Sequence, residues 1–314
     1  MKSVLQKSPK EFIVSIKRQP RKFYLYLKTL YTKEITLLIN SFFPFVKKQN
    51  IDSYTDYLVC EISKSTNIVS PLKTLEKIQK SISNKKRGAY MRFGDGDAFL
   101  AVGINDLFQK SSNLLSDEMK EAFSLKGEFV LKSLSIHSIL YGYEREMYND
   151  NHLVSDEYAN KLLSYTFTYF VGHKIYSPIS LHFAASYYSS IANTFLKLLK
   201  SKTVLFIGNE TTPLDKVELL FGAVPHIKTP PKNSYDKIND IEEDAIRVLD
   251  NLSEFGVVVV AMGCSGRILM KRLYKRNYNV FLFDFGSLLD GICGNESRPW
   301  LKEISNNYEF LQDL

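Results

Sequence analysis

Val257-Val-Val-Val-Ala261, followed by Met262-Gly-Cys-Ser-Gly266, decides the fold class. Four valines and an alanine in succession leave no polar face, so a strand made of them must be covered on both sides. That is the condition of a parallel sheet held between two layers of helices. The glycines mark a turn, and the stretch from Ser265 to Lys275 reads as the helix that follows. Working outward, further strands are expected at Ala89–Phe93, Phe129–Leu134, Thr203–Ile207, His226–Lys228 and Val280–Phe283. Helices are expected at Pro71–Ile82, Leu181–Leu199 and Tyr235–Leu252. Alternating strands and helices predict an α/β architecture with a Rossmann-like, mostly parallel sheet flanked by helices.

The chain has 314 residues, 45% hydrophobic and 24% charged, with 3 cysteines and no CxxC pair. This excludes a disordered chain, a disulfide framework and a cysteine-based zinc cluster. The net charge of +7 is concentrated at one end: residues 1–50 hold 11 Lys and Arg against 2 Asp and Glu. The remainder is close to neutral, which argues against nucleic acid as a partner. Within Arg21–Phe42 the positions Phe23, Leu27, Leu30, Tyr31, Ile35 and Leu38 recur at helical spacing among lysines and arginines. Residues 1–68 are therefore expected to form a basic amphipathic helical arm and linker, and residues 69–314 the α/β domain. Such an arm suits an anionic membrane surface, or packing on the domain with a solvated charged face. With no long apolar span and no secretory leader pattern, a cytoplasmic location is expected, or a peripheral one on the inner face of the plasma membrane.

Chemistry concentrates in Ala89-Tyr-Met-Arg-Phe-Gly-Asp-Gly-Asp97. A short apolar strand ends at Arg92, and Gly94 and Gly96 then alternate with Asp95 and Asp97. Ligands of open α/β sheets bind beyond the carboxyl ends of the strands, where this segment falls. Glycines allow close backbone approach, two carboxylates suit a hard divalent cation bridging a diphosphate, and Arg92 suits a bidentate phosphate contact. An ordinary Asp/Gly turn is the plain alternative.

Arg92-Phe-Gly-Asp-Gly-Asp97 resembles the RFGDGE signature of the GT-D-fold glycosyltransferases. Pro230-Pro-Lys-Asn-Ser-Tyr-Asp236 is similar to that family's P-x-x-N-A-[FY]-x-x-[YI] stretch, Val257–Arg267 to its strand and glycine turn, and Phe283-Asp-Phe-Gly286 to its late D-x-G. The resemblance runs from about Leu72 to Asp290. It implies a transferase that takes a nucleoside-diphosphate sugar and glycosylates a glycan or lipid-linked acceptor in surface polysaccharide or glycoconjugate synthesis. It also implies a divalent metal, Mn2+ or Mg2+, held with the diphosphate by Asp95 and Asp97. Two departures stand out: Asp97 replaces Glu, one methylene shorter, and Ser287 stands where a His is expected, so no imidazole role is assigned there.

Beyond these, Gly263, Ser265 and Gly266 sit where backbone N–H groups at a strand-to-helix turn suit a phosphate or sugar hydroxyl, although a plain tight turn reads equally well. Lys232 and Asn233 are candidate donor contacts, with Asn233 or Ser234 alternatively capping the next helix. Candidate catalytic carboxylates are Asp97, Asp284 at the end of the last strand, and Glu210 after Thr203–Ile207. A non-catalytic nucleotide-binding or scaffolding protein of a polysaccharide assembly is the competing class.

Overall fold

The computed structural model describes residues 67–134, 174–295 and 308–314. The predicted arm up to residue 66, with its helix at 21–42, lies outside the described residues. In chain order the elements are β1 (Asn67–Ile68), α1 (Pro71–Ser83), β2 (Gly88–Phe93), α2 (Asp95–Ala101), α3 (Asn113–Ser124), β3 (Val130–Leu134) and β4 (Lys174–Ile175). They continue with α4 (Ser180–Tyr187), α5 (Ser189–Lys202), β5 (Thr203–Asn209), α6 (Leu214–Phe221), β6 (His226–Thr229), α7 (Ile238–Leu249), β7 (Gly256–Ala261), α8 (Ser265–Lys275), β8 (Val280–Asp284) and α9 (Leu288–Ile292). Single 3-10 turns lie at Ser234–Lys237 and Tyr308–Leu311.

Six strands form one sheet in the order β3-β2-β8-β7-β5-β6, and every pairing is parallel. The valine run is β7, and it sits inside the sheet between β8 and β5 as its composition demands. Side chains alternate across it. Val258 and Val260 join Met91, Phe93, Ile207 and Leu282 beneath α2, α3, α7 and α8. Val257 and Val259 join Tyr90, Phe206, Phe281 and Phe283 beneath α1, α4, α5, α6 and α9. Each fully buried valine contributes about 1.5 kcal/mol, the low end of the usual range because the unfolded chain already hides part of its apolar area. The carboxyl ends of β2, β8, β7, β5 and β6 consequently share one edge of the sheet.

Three expectations change. The helix expected over Leu181–Leu199 is two, α4 and α5, broken at Tyr188, whose backbone leaves helical geometry at φ −142, ψ 59. The apolar stripe hides the break, but Ser186-Tyr-Tyr-Ser-Ser190 is a run of weak helix formers whose hydroxyls compete for backbone groups. The helix expected over Tyr235–Leu252 starts with the 3-10 turn and becomes α-helical only from Ile238 to Leu249. The segment expected as an Asp/Gly loop is the first turn of a helix, since α2 begins at Asp95, directly after Gly94. Among the described residues no helix is long and apolar enough to cross a membrane.

Candidate active site

At the carboxyl edge the chain gathers four charged side chains. Asp284 is the last residue of β8, Arg92 the penultimate residue of the neighbouring β2, Asp97 the third residue of α2, and Arg267 the third residue of α8. Gly94 is extended at φ −127 and its N–H donates to Asp97 Oδ2 at 2.8 Å, which turns the Asp97 carboxylate inward.

Arg267 is the hub. Its Nε donates to the Arg92 carbonyl at 2.5 Å and lies 3.5 Å from Asp97 Oδ1 and 3.3 Å from Asp284 Oδ2. Its Nη1 donates to the Gly263 carbonyl. Arg92 grips Asp284 from the other side: its backbone N–H donates to Oδ2 at 3.3 Å and its guanidinium lies 3.9 Å from Oδ1. The same guanidinium donates to the carbonyls of Pro178 and Phe285 and stands 3.4 Å from His182 Nε2. Gly286, at φ +67, lies directly under it, and a Cβ there would fall 1.2 Å from Arg92 Nη1. The glycine of the Asp284-Phe-Gly286 motif is thus explained by the arginine packed on it.

Exposure separates the four. The carboxylates are sealed, at 2% for Asp97 and 5% for Asp284, whereas Arg92 and Arg267 keep 12% and 14%. A ligand reaching this edge meets guanidinium first. Burial raises the pKa of Asp97 to about 6, with Arg267 offsetting part of the effect.

A family model described as "Glycosyltransferase GT-D fold" matches residues 90–289, more than half of the chain. The chain belongs to this family. Among solved structures, a glycosyltransferase (DUF1792) from Streptococcus sanguinis is similar at a TM-score of 0.56 and 18% identity, over 71% of this chain and 82% of that one. A second, the domain of unknown function 1792 described as having a distinct glycosyltransferase fold, is similar at 0.53 and 18%, over 76% of this chain and 82% of that one. These likenesses show the shared GT-D fold. No curated protein sequence matches the chain.

Within the GT-D fold the other sequence-predicted residues take varied places. Asp95 opens α2, and its side chain lies outside the described residues. Gly96 is tightly enclosed: a Cβ would come within 2.8 Å of Asp106 Oδ1 and 3.0 Å of Cys264 Sγ. Gly263 makes the left-handed turn from β7 to α8 at φ +60, with open space beside it. Gly266 is a packing glycine, since a Cβ would sit 3.0 Å from Met262 and 3.1 Å from Val260. Ser265 is buried, with Oγ 2.6 Å from Ser234 Oγ. Asn233 caps no helix with its side chain. It adopts left-handed backbone geometry at φ 52, its Oδ1 accepts from the Lys110 N–H at 2.9 Å, and its own N–H donates to the Phe108 carbonyl at 2.8 Å. Asn233 therefore clamps the 102–112 loop to the site edge, beside Gln109, whose Oε1 accepts from the Tyr235 N–H at 3.0 Å. Lys232 and Glu210 are exposed, and Glu210 follows β5, separated from β8 by β7.

Arg267 is the residue that the motif reading passed over. Its position four residues after Gly263, on the first turn of a helix that follows a buried strand, was the available signal. Any divalent cation at Asp97 would have to share it with Arg267. One Asp97 oxygen is taken by the Gly94 N–H, the other faces Arg267, and the same guanidinium faces Asp284. Among the described residues no three of His, Cys, Asp and Glu come together as a metal site.

Proposed function

We propose that this GT-D protein transfers a sugar from a nucleoside-diphosphate sugar to a hydroxyl of a glycan or lipid-linked acceptor, with the donor diphosphate on the Arg92–Arg267 edge. The observation that carries this reading is the pair of sealed carboxylates topped by two partly exposed arginines, at the ligand-binding edge of a sheet with the GT-D fold. Guanidinium groups match phosphate oxygens in planar, two-point contacts. In transfer, the acceptor oxygen bonds to the sugar's anomeric carbon while the bond from that carbon to the phosphate oxygen breaks. The nucleoside diphosphate leaves with the electron pair, and its charge develops against the arginines. The acceptor proton passes to water, and Asp284, at the end of β8, holds Arg92 and Arg267 in place. Asp97 holds Arg267 in place from beneath.

The acceptor side is supported by the 102–112 loop. Leu107 and Phe108 are 81% and 50% exposed, and the same loop touches the site through Asp106 near Gly96 and Phe108 on Asn233. An apolar rim beside a charged site suits an acceptor with a lipid portion. The test is hydrolysis and transfer measured by chromatography with a panel of nucleoside-diphosphate sugars. Expected is consumption of one donor class, lost in Arg92→Ala; donor binding without turnover in any acceptor mixture points to the scaffolding class instead.

A further inference from the structure

We propose that Arg267 is the resident cation of the donor site, standing where a divalent metal shared by Asp97 and Asp284 would stand; this rests on the sugar-transfer reading above. Its Nε lies 3.5 Å from Asp97 Oδ1 and 3.3 Å from Asp284 Oδ2, so one guanidinium serves both carboxylates. A hard cation bridging those oxygens needs them at about 2.0–2.6 Å, and it would share that gap with a fixed positive charge.

The guanidinium is not placed to swing aside. Besides the two carboxylates it holds the Arg92 carbonyl at 2.5 Å and the Gly263 carbonyl, which ties it to β2 and to the turn before α8. Asp97 Oδ1 is buried without a hydrogen bond, so its partner is the charge of Arg267. Arginine stays protonated at every working pH, and this cation is therefore permanent. The Asp97–Asp284 pair serves as a seat for an internal cation whose exposed edge meets the diphosphate.

A counterfactual follows. Removing the guanidinium uncovers two buried hard-oxygen groups, which is what a divalent ion selects. The experiment titrates Mn2+ alone into the full-length chain at neutral pH and follows the six-line paramagnetic resonance signal of the free ion. Expected for Arg267→Ala is uptake of one extra equivalent relative to wild type, tighter by a factor on the order of ten or more, and its loss in Arg267→Ala/Asp97→Asn. Circular dichroism checks folding, and Arg267→Gln replaces the alanine variant if that one does not fold. The proposal is overturned if folded Arg267 variants take up no extra ion. It is also overturned if wild type binds an equivalent that Asp97→Asn removes, a comparison that needs no Arg267 variant.

Discussion

Gly286 shows how a single missing methyl group shapes the site. Gly286→Ala puts a Cβ where Arg92 Nη1 now lies and forces a non-glycine residue to hold φ +67. The left-handed conformation alone costs about 1–2 kcal/mol. The expected result is a lower melting temperature, read by scanning calorimetry, and a loss of donor affinity of roughly ten-fold or more, read by titration calorimetry, as one guanidinium contact is displaced. Asp284→Asn keeps the shape and removes the charge that seats both guanidiniums, so donor affinity and turnover are expected to fall together, by about ten-fold or more. At this scale the sequence was legible in part. Arg92, Asp97 and Asp284 were each foreseen at the carboxyl end of a strand, and the adjacency of β2 and β8, which brings them together, was not. What could not be read is that Asp95 and Asp97 lie on a helix, because Gly-Asp-Gly-Asp has turn composition and only the Asp97–Gly94 contact shows the carboxylate bent inward.

Between elements, α3, α7 and α8 are tied by a charge network that composition alone does not announce. Lys271 is buried at 2% exposure, and its Nζ donates to Glu118 at 3.0 Å and Glu121 at 3.2 Å. Arg272 binds Glu118 at 2.6 Å and Glu242 at 2.9 Å, and the Tyr235 hydroxyl donates to Glu118 at 2.9 Å. Glu118→Ala leaves Lys271 buried with only the half-exposed Glu121, so a stability loss of about 3 kcal/mol is expected in denaturant unfolding. The network also sets a pH dependence. Burial alone would raise the pKa of Glu118, but hydrogen bonds from Arg272, Lys271 and Tyr235 hold it at about 2, below its ordinary 4.5. A depressed folded-state pKa gives stability that is fully present above about 4.5 and drains away as pH falls toward 2. Melting temperature against pH should show that loss in wild type and a shallower one in Glu118→Gln. The helix α8 was readable from its place after the valine strand and glycine turn, whereas a lysine on its buried face has no such signal.

For the whole molecule, one valine run and a set of short apolar strands sufficed to foresee a parallel sheet with helices on both faces. Strand order was beyond reach, because β2 and β8 are neighbours though nearly the whole described domain lies between them in sequence. The basic arm makes a separate prediction: deleting residues 1–50, with its 11 Lys and Arg, should reduce sedimentation with anionic vesicles while the domain's melting temperature stays unchanged. Unchanged vesicle binding with a lowered melting temperature assigns the arm to packing on the domain. The central claim, a donor diphosphate on the Arg92–Arg267 edge, is tested most directly by thermal shift of the full-length chain against UDP-, GDP-, dTDP- and CMP-sugars. A donor that binds only the folded state raises the melting temperature. Expected is a rise with one nucleotide class that disappears in Arg92→Ala and in Arg267→Ala; an equal rise in both variants, or none with any donor, contradicts a donor site on that edge.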